Sequence, residues 1–170
     1  MMLGMSLETF TLVHVVISLI GIVTGLMVFA GMLQAKRLDG LTATFFATTV
    51  LTSVTGFMFP FKGVTPGIVV GGLSLVTLGI AIFARYGGHL AGGWRAAYVV
   101  TAGIGLYFNC FVLVVQSFEK IPALHALAPT QKEAPFGIAQ LALLAIFVVL
   151  IIGGVKKFHP EGKVQQAKAA

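Results

Sequence analysis

The sequence predicts an all-α integral membrane bundle of five transmembrane helices, with the N-terminus outside and the C-terminus cytoplasmic. Three observations carry that prediction. First, the 170 residues are 58% hydrophobic and only 9% charged, with a mean hydropathy of +1.01. A soluble domain carries about 25% charged residues, so this chain lacks the polar surface to cover a water-soluble globule. Second, five continuous apolar runs approach or exceed the ~20 residues that cross a hydrocarbon layer. Third, the basic residues segregate. With five spans, Lys36, Arg37, Arg85, Arg95, Lys156, Lys157, Lys163 and Lys168 fall on one side and only Lys62, Lys120 and Lys132 on the other. The richer side is expected to be cytoplasmic.

The first run, Thr9–Leu33, has no preceding Lys or Arg and is full membrane length. It is expected to remain as a helix, not to be cleaved as a signal peptide. His14, Ser18, Gly21 and Gly25 lie at offsets of 0, 4, 7 and 11 on one helical face. Gly21 and Gly25 form a GxxxG, which admits a neighbouring helix at close range. The second run, Leu41–Phe59, carries Thr44, Thr48, Thr52 and Thr55 on one face and Thr49, Ser53 and Gly56 on the next. Phe57, Phe59 and Phe61 around Pro60 mark its outer end. The third run, Gly67–Phe83, offers Gly67, Gly71 and Ser74. A glycine-rich connection from Arg85 to Arg95 is expected to be a mobile inner loop, with Tyr86, Trp94 and Tyr98 forming an interfacial aromatic belt.

The fourth run, Ala96–Phe118, places Gly105, Asn109 and Gln116 on one face. The longest connection comes next, from Glu119 to Pro135. Pro122 suits the first position of a short helix that Pro129 would end, which puts His125 on an interfacial turn. Thr130 and Glu133 have capping-box spacing, with Pro135 as a competing helix opener. The fifth run, Phe136–Val155, has Gln140 near its start, and Lys156–Ala170 reads as a disordered basic tail. Helices are expected over strands because each run is continuous, not alternating, and an isolated strand leaves backbone groups unpaired in lipid.

His14 is the only histidine inside a span, and an ionisable residue there is a functional-site candidate. With His125, Asn109, Gln116 and Gln140 it falls in the outer half of the bundle. Thr52 and Thr55 lie there too, with Glu8 and Glu119 at helix ends. Such polar groups must bond one another, bind water or bind a ligand, because none tolerates being left unpaired in a low dielectric. Three ligands are consistent with the residue types. Haem or a single metal ion would be held by His14 with His125 through imidazole nitrogen. A quinone head group would need donors at its carbonyls, which His14 with Gln116 or Asn109 would supply. The bland alternative is mutual hydrogen bonding within a scaffold. Cys110 cannot form an intramolecular disulfide, being the single cysteine. No Ser–His–Asp set, P-loop, HExxH or GxGxxG is present, which leaves no catalytic residues to assign. The scattered basic residues form no stripe with interleaved aromatics, so nucleic acid is not expected as a partner.

The run Tyr107-Phe-Asn109-Cys-Phe-Val-Leu-Val-Val-Gln116, then Pro122-Ala-Leu-His125-Ala-Leu-Ala-Pro129-Thr-Gln131, then Glu133-Ala-Pro135-Phe136, resembles a group of uncharacterised small bacterial inner-membrane proteins. Thr48–Phe61 resembles the same group. The resemblance implies a multi-pass protein of a bacterial inner membrane and brings no catalytic residues. The function expected is that of an inner-membrane protein with an outward-facing polar site for a haem, metal or quinone-like ligand. The alternatives are a structural or accessory subunit of a membrane complex without a ligand and, third, a small-solute transporter or channel. The expected partners are the lipid bilayer and other membrane subunits.

Overall fold

The structure is a computed structural model and describes residues 4–60 and 66–159. Residues 61–65, among them Phe61 and Lys62, and residues 160–170, among them Lys163 and Lys168, lie outside the described residues. Among the described residues six α-helices run in order: α1 (Leu7–Leu33), α2 (Asp39–Phe57), α3 (Pro66–Ile82), α4 (Gly93–Lys120), α5 (Pro122–Leu127) and α6 (Ala134–Lys157). A π-helical turn, Phe83–Gly87, extends α3. Five of these are long and apolar enough to cross a membrane: α1, α2, α3 with its π-turn, α4 and α6. The chain is therefore an all-helical, multi-pass membrane protein. The expected spans recur with ends shifted by four residues or fewer.

Local chemistry sets the ends. Ser6 caps α1, its Oγ accepting from Thr9 N at 3.1 Å. Pro122 opens α5 and Pro135 sits in the first turn of α6, where a missing N–H costs nothing. Glu133, the N-cap of α6, reaches back to accept from Thr130 N and Oγ1–H. These bonds, chiefly that of the Thr130 hydroxyl, hold the Glu133 carboxyl below the usual carboxylate range. Of the two expected devices Pro135 opens the helix, and Thr130 does not cap it, because its hydroxyl bonds the Glu133 carboxylate and not the Glu133 N–H. Gln131 takes a positive φ of 57° and its Nε2 donates to the Val115 carbonyl at 3.1 Å, tying that loop to α4.

Helices α1 to α4 form a four-membered ring, each packed on its chain neighbours and α1 closing on α4, while α6 lies outside against α4 and α1. The half of the ring nearer the C-terminus of α1 is closed by Phe29, Phe45, Leu78, Ala102 and Leu106, all buried. Close approach depends on the glycines. A Cβ on Gly25 would stand 2.6 Å from Leu106 Cδ1 and 2.9 Å from the Phe45 ring, so α1 meets α2 and α4 only because no side chain intervenes. The outward faces are apolar: Leu12 and Val23 on α1, Val76 on α3, and Ile138, Leu141 and Val149 on α6 are exposed. In hydrocarbon these faces need no protein cover.

Three expectations for the inner end are corrected. The Arg85–Arg95 segment is not an open loop. Leu90 is buried and its N–H reaches the Ala84 carbonyl at 3.0 Å. Arg85 is only 2% exposed, over the Tyr98 ring at 5.2 Å. Its Nη1 donates to Tyr98 Oη at 3.1 Å and its Nη2 to the Arg37 carbonyl at 3.3 Å, and it pairs with the Asp39 carboxylate. Tyr98 is consequently in the core, while Tyr86 and Trp94 are exposed as expected. The tail also begins later than Lys156. Helix α6 runs through Lys157 and Phe158 is buried, because Arg95 Nη1 donates to the Val155 and Phe158 carbonyls at 2.8 and 2.9 Å. A cation satisfying the last carbonyls of a helix is favoured by its dipole.

Candidate functional site

The half of the ring nearer the N-terminus of α1 does not close. A cavity of about 540 Å³ lies between α1, α2, α3 and α4, within the ordinary size range of small-molecule pockets. Its walls are mainly apolar, from Leu19, Ile22, Val70, Phe108 and Val112 among others. The polar groups come from four helices: His14 and Ser18 of α1, Thr49, Thr52 and Ser53 of α2, Ser74 of α3, and Asn109, Gln116 and Lys120 of α4.

Helical periodicity explains why these residues share the space. On α1, His14, Ser18 and Ile22 are four residues apart and follow one face, as do Asn109, Val112 and Gln116 on α4. Gly67, Gly71 and Ser74 present the small face of α3, and all three line the cavity.

Near the outer end, His14 Nδ1 lies 2.7 Å from Thr55 Oγ1, and its ring stands edge-on to Phe59 at 5.2 Å between centroids. The Thr55 hydroxyl also lies 2.7 Å from the Leu51 carbonyl, which can only accept. Ser18 Oγ donates to the His14 carbonyl at 2.9 Å and approaches Thr52 Oγ1 at 3.3 Å.

At the inner end of the cavity, Asn109 is 9% exposed and Thr49 1% exposed, and neither Asn109 Nδ2 nor Thr49 Oγ1 has a hydrogen-bond partner. Gly21 makes room for both: a Cβ there would stand 3.0 Å from Thr49 Oγ1 and 3.3 Å from Asn109 Nδ2. Most threonines in these helices bond the carbonyl four residues back; Thr42, Thr44, Thr48 and Thr55 all do so. Thr49 departs from that habit. An unsatisfied buried donor costs about 1–3 kcal/mol, and both atoms are shut in against Gly21 of α1. Inward of this floor the interior is Phe45, Leu78 and Leu106, all buried.

Of the residues expected to form a site, His14, Asn109 and Gln116 come together in this cavity. His125 and Gln140 do not line it. His125 is exposed on α5, its Nδ1 3.3 Å from the Phe118 carbonyl. Gln140 faces α4 from α6, donating to the Phe111 carbonyl at 3.3 Å, with its Oε1 buried and unpaired. Among the described residues no group of three or more His, Cys, Asp or Glu could hold a metal ion. Gln116 leans toward the mouth, 3.4 Å from the Glu119 carboxylate. Lys120 also stands at the mouth. In the sequence it registers only as an outer-side charge, and nothing there marks it as part of a site.

The chain matches no protein-family model, no curated protein and no solved structure.

Proposed function

We propose that this protein is an inner-membrane protein of a bacterium, N-terminus outside and C-terminus in the cytoplasm, whose outward-facing cavity binds a small quinone-class lipid. The observation that carries the reading is a mainly apolar cavity of about 540 Å³ that His14, Asn109 and Gln116 line together. A flat ring with an oxygen at each end and an apolar edge suits such a space. The eight-to-three distribution of Lys and Arg supports the orientation. Ligation of haem or a metal ion by His14 with His125 is less well supported, because His125 lies outside the cavity. The closed apolar interior below Asn109 favours binding over passage of a solute across the bundle.

The test is calorimetric titration of the full-length protein in lipid nanodiscs with decylbenzoquinone and decylhydroquinone. At least one is expected to bind saturably at one site per chain. His14→Phe with Asn109→Leu, if it retains the wild-type gel-filtration profile, is expected to weaken that binding about tenfold or more, since each removes a polar side chain from the cavity wall. Absence of saturable binding of either probe to the wild-type protein would return the cavity to a scaffold role within a membrane complex.

A further inference from the structure

Three lysines gather where α1 and α6 end, away from the cavity. Glycine sets the seam between these helices: a Cβ on Gly153 would stand 3.0 Å from Leu33 Cδ2. Lys156 and Lys157 follow Gly153 by three and four residues, so they continue the face that α6 turns to α1. On α1 the chain turns at Ala35, with a φ of 56°, and the Lys36 N–H closes back on the Gly31 carbonyl at 2.9 Å. That turn keeps Lys36 at the end of α1, where its Nζ donates to Gln34 Oε1 at 2.9 Å. All three lysines are exposed.

The usual tasks of lysines at such a place are already filled. A cation in the last turn of a helix ordinarily serves its free carbonyls. On α6 Arg95 does this, donating to the Val155 and Phe158 carbonyls. Among the described residues Asp39 is the one acid at this end, and it pairs with Arg85 and lies 3.5 Å from Arg37 Nε. Lys36, Lys156 and Lys157 form no ion pair among the described residues. Their charge is left uncompensated around one seam.

The seam continues into the bundle as apolar surface. Val149 and Ile146 precede Gly153 by four and seven residues, and Leu26 precedes Leu33 by seven, so each stays on the seam's line. All three are exposed. A molecule that matches both parts has an anionic head at the helix ends and a hydrocarbon chain running away from them. Free phosphate would use the lysines alone.

We propose that the α1–α6 seam binds one anionic phospholipid, its phosphodiester oxygens accepting from Lys36, Lys156 and Lys157 and an acyl chain lying against Leu26, Ile146 and Val149. Gly153 is the positioning residue, since it lets the two helix ends approach closely enough for one head group to meet lysines from both. The site is independent of the cavity and its ligand.

The test is native mass spectrometry of the full-length protein in a neutral detergent, titrated with dioleoyl phosphatidylglycerol or dioleoyl phosphatidylcholine. The two lipids share their acyl chains and differ in net charge. Wild type is expected to bind the first phosphatidylglycerol about tenfold more tightly than the first phosphatidylcholine. In Lys36→Gln/Lys156→Gln/Lys157→Gln the ratio is expected to fall to within about twofold, because the head group loses its cations and the apolar seam remains. Lys36→Arg/Lys156→Arg/Lys157→Arg keeps the charge and should keep most of the preference. Lys132→Gln, before the opposite end of α6, should leave it within about twofold of wild type. Equal binding of the two lipids by wild type overturns the proposal. So does a preference unchanged in the triple glutamine variant, or one lost as fully in Lys132→Gln, which would mark a response to net charge alone.

Discussion

Replacing Asp39 by alanine is expected to destabilise the protein by about 3 kcal/mol, more than replacing Asp39 and Arg85 together. The reason is the asymmetry of the pair. The Arg85 side chain is 1% exposed and that of Asp39 is 70% exposed. Removing the carboxylate leaves a guanidinium shut in with Tyr98 and the Arg37 carbonyl, and a buried charge stripped of its partner costs about 3–5 kcal/mol. The lower end of that range applies because those two contacts survive. In Asp39→Ala/Arg85→Met the charge is gone and an unbranched apolar side chain fills the space among Ala84, Tyr98 and Leu90. The double variant should recover at least about 1 kcal/mol relative to Asp39→Ala, as seen when buried ion pairs are replaced by apolar groups. Unfolding in mixed micelles of SDS measures Asp39→Ala, Arg85→Met and the double variant. Simple additivity of the two single losses would show that Arg85 and Asp39 act independently and that the inner-end lock does not exist.

Filling Gly25 should have an effect of similar size. A Cβ at this position meets Leu106 Cδ1 at 2.6 Å and the Phe45 ring at 2.9 Å, and both residues are fully buried with nowhere to retreat. Overpacking of a close-packed interior costs about 1–3 kcal/mol. Gly25→Val, with its branched side chain, should reach or pass the upper end. Gly79 is the matched control: it is also helical, and no heavy atom lies within 4 Å of its ideal Cβ. Gly79→Ala should be neutral or stabilise by up to about 1 kcal/mol through helix propensity alone. Thermal unfolding followed by gel filtration separates the outcomes. Equal behaviour at the two positions would mean that α1 does not close on α2 and α4 at Gly25.

How far the sequence reveals these features differs from one to another, for physical reasons. The spans are legible because lipid imposes one requirement on every residue of a helix, so composition over a window suffices. The convergence of His14, Asn109 and Gln116 is legible because periodicity alone gathers residues on a helical face, and the glycine stripe of α1 shows which face turns inward. The placement of His125 and Gln140 is not. Both depend on how α5 and α6 fold back against α4, which no local pattern specifies. Arg85 is hidden for another reason. Its sequence context reads as one more cytoplasmic charge after a membrane span. The π-turn, closed by Gly88 N–H to the Phe83 carbonyl at 2.8 Å, adds a residue to the helical turn and so rotates the side chains at the end of α3. That rotation carries Arg85 from the periphery into the bundle, beside Tyr98. The unpaired state of Thr49 is equally invisible, since its neighbours Thr48 and Ser53 make the ordinary backbone bonds that Thr49 does not.

A single thiol at position 18 probes the cavity and its orientation together. Ser18 lines the cavity beside His14, so Ser18→Cys in a Cys110→Ala background carries one reactive group inside it. Right-side-out membrane vesicles are treated with a small membrane-impermeant thiosulfonate, with and without saturating decylhydroquinone. Labelling from the outside that the hydroquinone suppresses is the expected result. Labelling only in inverted vesicles, or at a rate indifferent to the hydroquinone, would contradict an outward-facing ligand cavity between the four helices.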